Sequence, residues 1–468
     1  MKHPGSLSRG FVAAALAVSF AAAAGAAEPT LRAKEVAAGY KAAFLCSDTF
    51  TAGMPEATIA ADDLRGIYPE VEPLIDALPA AIDRETKTVS VSFDATMPPR
   101  VAVWRPLLGC TQLPIGARVT AGAALPRLSA GLRPPSLDAA AWPLGDAIAF
   151  EQLPAARAAA LDALVAKAFD SVSYGQGSTT SAVIVLFDGR IVAERYGAGV
   201  SMYTPQRTWS MAKSLAVTLI GRAVALGKAD VAAPANIPEW GAPGDPRAAI
   251  TLEQLMRMNS GLWTNGPGNR TDSLYLGGSS VSETAAAAPL EAAPGSRFNY
   301  ANNDILLATY SLMTSLGQDA LAFPFTEVLW PLGMTHTTPE TDWQGHYVMS
   351  SQVWLTARDA ARLALLYQND GIANGRRLLP AGWARFVSTT AGAQPANRAA
   401  QYGAGFWVYG PSNGLPEGTF YMNGNRGQYA VIVPSAKVVV VRRGFDAEGH
   451  GFEIARFAHD VLGEFVSP

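Results

Sequence analysis

Ser210 and Lys213, in the run Thr208-Trp209-Ser210-Met211-Ala212-Lys213-Ser214-Leu215, are the residues best suited to covalent chemistry in this chain. No other serine has a lysine three places on. On a helix, positions i and i+3 share a face, so the hydroxyl and the amine become neighbours. A serine hydroxyl is a weak nucleophile until a nearby base takes its proton. Lysine can be that base only if burial or a second cation lowers its pKa from about 10.4. The apolar run from Leu215 to Ile220 supplies the burial. A surface helix with an incidental pair is the competing reading, so the surrounding elements must decide.

The chain has 468 residues, 49% hydrophobic and 16% charged, which is a globular composition with room for two or three domains. Lys+Arg of 36 against Asp+Glu of 39 gives a net charge of -3. No basic run is long enough to track phosphates, which argues against nucleic acid as a partner. Residues 1–27 read as a signal peptide. Lys2 and Arg9 precede an alanine-rich apolar stretch from Phe11 to Ala24, and Ala24-Gly25-Ala26 offers a cleavage site. The expected destination is periplasmic or secreted, in a bacterium, with no stable membrane insertion after cleavage. In that setting Cys46 and Cys110 are read as one disulfide. Two buried free thiols are the alternative, and with no histidine nearby a metal site is disfavoured.

The elements that must position the pair fall into two stretches. Residues 28–150 read as a small disulfide-tied α/β extension, in which Thr86 to Phe93 alternates as a strand and Arg100 to Trp104 pairs with it. The Pro-rich stretch from Leu132 to Pro143 reads as an extended connector. In residues 151–468, Ala155 to Phe169 has helical spacing, and Thr180 to Phe187 and Arg190 to Arg195 form a hairpin across Asp188-Gly189. A second hairpin, Gln428 to Val433 with Lys437 to Arg442, precedes a helix from Phe452 to Phe465. The predicted fold class is therefore α/β (α+β). One antiparallel sheet is built from both hairpins, with flanking helices and an inserted helical region whose first helix starts at Ser210. There the helix dipole favours a developing oxyanion.

Three Tyr-x-Asn triplets occur. Tyr367 continues an apolar helical face with Leu363 and Leu366 and reads as core, and Tyr421 fits either core or site. Tyr300, in Pro294-Gly295-Ser296-Arg297-Phe298-Asn299-Tyr300-Ala301-Asn302, sits on a turn that opens onto a helix, where a side chain is held at a cleft.

Ser210-x-x-Lys213, Tyr300-x-Asn302 and Gly424-Asn425-Arg426-Gly427-Gln428, in this order before a terminal hairpin, resemble the serine β-lactamase and penicillin-binding-protein superfamily. Within it, Ser210-Met-Ala-Lys-Ser214 and Gly427-Gln428 are most like the class C-like 6-aminohexanoate-dimer (nylon-oligomer) hydrolases and related esterases. The resemblance implies a β-lactamase-like fold and an acyl-enzyme mechanism that needs no metal and no cofactor. It makes Ser210 the nucleophile, with Lys213 and Tyr300 shuttling its proton and each lowering the other's pKa. Asn302, Asn425, Gly427 and Gln428 would meet the substrate, and the backbone N–H groups of Ser210 and Gln428 would form the oxyanion hole. The partner implied is a small-molecule amide or ester.

The third motif departs from the Lys-Thr-Gly or His-Thr-Gly of enzymes that handle penicillins, which argues against efficient β-lactam turnover. Arg426 either meets a substrate carboxylate or lies solvated on a strand edge. Tyr203, Trp209, Trp263 and Trp407 either line an acyl pocket or simply pack. Two other functions stay open: a D-amino-acid peptidase or β-lactamase acting on cell-wall-like substrates, and a non-catalytic wall-fragment sensor. A serine–histidine–acid triad lacks the Gly-x-Ser-x-Gly elbow, and no His-Glu-x-x-His marks a zinc peptidase. Oligomeric state leaves no signal in the sequence.

Overall fold

In the computed structural model, which describes residues 28–148, 153–264, 271–396 and 398–465, the two predicted hairpins meet edge to edge. Residues 1–27, expected as a signal peptide, lie outside the described residues. Val438–Gly444 pairs antiparallel with Thr180–Phe187, setting Val440 opposite Val185 and Val441 opposite Ile184. These valines are fully buried because helices cover both faces of the sheet. Ala357–Gln368 packs on one face, and Ala155–Lys167 and Ile454–Leu462 on the other. Strands buried on both faces read as continuous apolar runs, as Val438 to Val441 does.

The sheet is wider than the sequence suggests. Its seven strands run in the order Gln401–Tyr402, Trp407–Val408, Phe420–Gly424, Gln428–Val433, Val438–Gly444, Thr180–Phe187, Arg190–Tyr196. The first three went unrecognised because two of them are only two residues long and Phe420–Gly424 shows no polar alternation. The inserted region is helical apart from short strands, among them a small sheet of Gln206–Arg207, Val353–Leu355 and Thr338–Pro339. Arg443 ties that small sheet to the large one, donating to the carbonyls of Leu355 (2.8 Å), Gln206 (2.9 Å) and Arg207 (3.1 Å).

In the extension, helix Leu31–Ser47 lies across four antiparallel strands, Ala80–Asp83, Thr88–Val91, Arg100–Arg105 and Gly109–Gln112. A disulfide joins Cys46 at the end of the helix to Cys110 on the last strand, across a separation of 64 residues. The extension docks on the rest of the chain through Glu340, whose Oε1 accepts from Ser47 Oγ at 2.6 Å and from Cys110 N at 2.9 Å. The connector is strapped down by Arg362, which donates to the carbonyls of Pro143 and Gly145, each at 2.7 Å. Among the described residues no helix is long and apolar enough to cross a membrane. Replacing both cysteines with serine is expected to lower unfolding stability by about 4 kcal/mol, as a loop of this length implies. Urea denaturation of the variant against the oxidised parent measures it.

Candidate active site

The segment that carries Ser210 is held from both sides. Thr208 N donates to Val353 O at 2.8 Å as the strand Gln206–Arg207 ends. Trp209 follows with φ 50, a left-handed conformation that is costly for a bulky aromatic residue. It is pinned there by Arg207, whose guanidinium lies 4.1 Å from the ring, and by Phe44 and Tyr68 of the extension at 5.9 and 6.4 Å. Ser210 then lies in a 3-10 turn, Trp209–Met211, that leads into helix Ala212–Ala225. The first N–H groups of such a helix have no intrahelical partners.

Lys213, the second residue of that helix, is 1% exposed. Its Nζ lies 3.0 Å from Ser210 Oγ, 2.7 Å from Asn302 Oδ1 and 3.1 Å from Ser350 O. Burial lowers its pKa to about 7. Tyr300 precedes the helix Asn302–Leu316, and its ring centroid is 5.0 Å from Lys213 Nζ. Burial pushes its phenol up to about 12, against a hydrogen bond with Ser210 that pulls it down. The expected mutual lowering of the two pKa values is therefore corrected: desolvation dominates both, and it moves the amine down and the phenol up. Trp407 (5.4 Å) and Tyr402 (5.8 Å) flank the Tyr300 ring. Exposed Arg398 sits 5.4 Å over Trp407 and pulls the Tyr300 phenol down.

Asn302, expected to meet the substrate, is buried and spends its Oδ1 on Lys213. Two of the other expected residues lie elsewhere. A Cβ on Gly427 would sit 1.6 Å from Arg442 Nη1 and 2.4 Å from Asp446 Oδ2, on the buried side of the hairpin. Gln428 is 2% exposed, with its Oε1 taken by Arg443 and its Nε2 by the carbonyls of Arg426 and Gly444. The glycine that lies against the segment carrying Ser210 is Gly424, where a Cβ would come within 2.1 Å of Thr208 O and 3.1 Å of Met211 N. The strand beside Ser210 is thus Phe420–Gly424, and Asn425, at its end, is exposed beside Trp209 at a cavity of about 130 Å³. Gly424→Ala is expected to wedge the strand off the Ser210 segment. Overpacking of this kind costs about 1–3 kcal/mol of stability, and a 1 Å displacement of reacting groups costs about 100-fold in turnover. Melting and rate measurements check the two together.

Both readings of Arg426 are overturned. It is 7% exposed, and it donates inward to the carbonyls of Asp62 (2.7 Å) and Arg65 (2.9 Å) on the extension and to Asp446 O (3.1 Å). Of the aromatic candidates, Trp407 lies by Tyr300 and Trp209 faces the extension, whereas Tyr203 and Trp263 are exposed. Among the described residues, Asp138, Asp146 and His336 bring possible metal-ligand atoms within 4.8 Å of one another. Asp146, however, is engaged by Arg362 at 2.7 Å. Sequence reasoning missed Ser350, whose backbone carbonyl accepts from Lys213, and Arg398, which no motif marks.

The β-lactamase family model matches residues 158–442, more than half of the chain, and the chain belongs to that family. The match begins after the extension. A Bacillus anthracis protein, provisionally described as a 6-aminohexanoate-dimer hydrolase, superposes with TM-score 0.52 at 23% identity, over 60% of this chain and 77% of that one. EstCE1, a hydrolase with promiscuous acyltransferase activity, gives 0.53 at 16% identity over 67% and 100%. A penicillin-binding-protein homologue from Caulobacter crescentus gives 0.53 at 16% over 67% and 99%. At these identities the likeness shows the fold, which is that of the β-lactamase-like hydrolases. No curated protein matches the chain.

Proposed function

We propose that residues 151–468 form a serine hydrolase that cleaves amide or ester bonds of small linear substrates through an acyl-enzyme on Ser210, with residues 28–150 as its extension. The observation that carries this reading is the 3.0 Å between Lys213 Nζ and Ser210 Oγ, on a lysine whose pKa burial has brought to about 7. A neutral amine has two N–H bonds and one lone pair. Asn302 Oδ1 and Ser350 O accept the two N–H bonds, which leaves the lone pair for the serine proton.

Ser210 Oγ attacks the carbonyl carbon as its proton passes to Lys213. The oxyanion is received by the backbone N–H groups of Ser210 and of Asn425, the residue after Gly424, rather than of Gln428. Tyr300, neutral with a pKa of about 12, hands a proton to the leaving amine or alcohol and recovers one from Lys213. Water then cleaves the acyl-enzyme by the same path. Engagement of Arg426 by the extension removes the cation that would have met a β-lactam carboxylate, which favours linear substrates. The leader, residues 1–27, supports export.

Mass spectrometry after fluorophosphonate treatment, followed by a panel of p-nitrophenyl esters, linear amides and nitrocefin, tests the reading. A labelled Ser210 peptide with ester or amide turnover is expected. Rapid nitrocefin hydrolysis would favour a β-lactamase, and an unmodified Ser210 peptide would favour a wall-fragment sensor.

A further inference from the structure

We propose that the N-terminal extension is a working part of the catalytic centre: Gln112 and Arg100 clasp the segment 275–276, and Tyr275 of that segment fixes the Ser350 carbonyl on which Lys213 rests. The inference builds on the serine-hydrolase reading above. Gln112 Nε2, on the last strand of the extension sheet, donates to Tyr275 O at 2.8 Å, and Arg100 Nη1 donates to Leu276 O at 2.5 Å. The fit is close enough that a Cβ on Gly39 of the extension helix would come within 2.1 Å of Leu276 O. The Tyr275 phenol hydrogen-bonds Ser350 Oγ, and both residues are buried. Ser350 O then accepts from Lys213 Nζ at 3.1 Å. Arg207 holds the next residue, donating to Ser351 O at 3.2 Å and Ser351 Oγ at 3.1 Å. The path from extension to lysine is continuous, and it ends at one of the two acceptors that turn the amine toward Ser210.

The extension also reaches the nucleophile, because Phe44 and Tyr68 pack on the strained Trp209 next to Ser210. Backbone held in an unfavourable conformation persists only where its surroundings enforce it. Both partners of the proton transfer are thus braced by a unit that lies outside the family match. Tyr275 reaches Lys213 only through Ser350, so it is a positioning residue.

Tyr275→Phe, read against the parent on a p-nitrophenyl ester, tests this. It keeps the ring and removes only the hydroxyl that holds Ser350. Turnover is expected to fall about 10- to 100-fold, the scale of a small displacement of a reacting group, while KM changes less than about twofold. The pH profile separates positioning from loosening. The titratable side chain facing Lys213 is the Tyr300 phenol, neutral in this range, and burial is the cause of the lysine's shift. A carbonyl that accepts from the ammonium favours the charged form, so its retreat moves the acid limb of kcat/KM to lower pH. General loosening would admit water and move that limb to higher pH.

Ser350→Ala, which removes the hydroxyl but keeps the carbonyl, should give a similar loss, and the double variant should lose no more than either single one. Arg84→Ala, on an exposed ion pair of the extension, should leave rate and profile unchanged. A Tyr275→Phe enzyme at the parental rate, an alkaline shift of its limb, or fully additive losses would overturn the proposal. Failure of the underlying reading looks different, because Ser210→Ala would then retain turnover.

Discussion

Ser210→Ala is expected to reduce turnover of a p-nitrophenyl ester on the order of 10⁴-fold or more, with the fold and KM little changed. The size follows from what the hydroxyl does. In the proposed mechanism no acyl-enzyme forms without it, and what remains is the contribution of the oxyanion donors and of binding, which in serine enzymes leaves about 10³–10⁴-fold over water. Lys213 and Tyr300 cannot compensate, because the hydroxyl on which their side chains converge is the one removed. The variant should also escape fluorophosphonate labelling. Parental turnover in Ser210→Ala would remove the acyl-enzyme from the account and leave a β-lactamase-fold protein whose chemistry lies elsewhere.

What could be read from the sequence, and what could not, divides along physical lines. Thr180–Phe187 and Gln428–Val433 emerge at their predicted bounds, because a strand buried on both faces between turn residues is a local pattern. The Ser210–Lys213 pair is equally local, although the helix begins at Ala212 rather than at Ser210 as expected, and a 3-10 turn continuous with it sets the spacing. Lys213's partners are not. Asn302 was placed near the substrate from its motif, but only the packing of helix Asn302–Leu316 against helix Ala212–Ala225 shows that it serves the lysine.

The third motif failed for an instructive reason. Gly424 and Gly427 flank Asn425-Arg426, and the turn requires a left-handed residue at Gly427, with φ 80. That need marks Gly427 as the conspicuous glycine. Gly424 is needed instead because Thr208 crosses it at close range, a contact between residues more than two hundred places apart. Arg426 was misread for the same reason: the carbonyls that hold it come from residues 62 and 65. Ser350 contributes a backbone oxygen, which every residue has, so no pattern of residue types could mark it.

Lys213→Arg is expected to lower turnover on the order of 10³-fold even though charge and length are nearly kept, because a guanidinium is never deprotonated under working conditions and cannot act as a base. In the parent enzyme kcat/KM should rise with pH through about 7 as the lysine loses its proton, and the Tyr300 phenol at about 12 leaves the alkaline side flat over the usual range.

The same shift leaves a mark on stability that needs no substrate. Between about 7 and the ordinary 10.5 the unfolded chain holds a proton on residue 213 and the folded protein does not, so the unfolded state binds more protons and stability rises with pH. Lys213→Met has no such proton. Its loss of a donor to Asn302 Oδ1 and Ser350 O costs the same at every pH, so that term drops out of the slope. Relative to Lys213→Met, the parent should therefore gain about 1.4 kcal/mol per pH unit across this window and run parallel to the variant below and above it. Urea unfolding of both proteins from pH 6 to pH 10 measures the difference. Curves that stay parallel throughout would mean that the folded protein keeps its lysine charged, and a charged lysine cannot take the proton of Ser210.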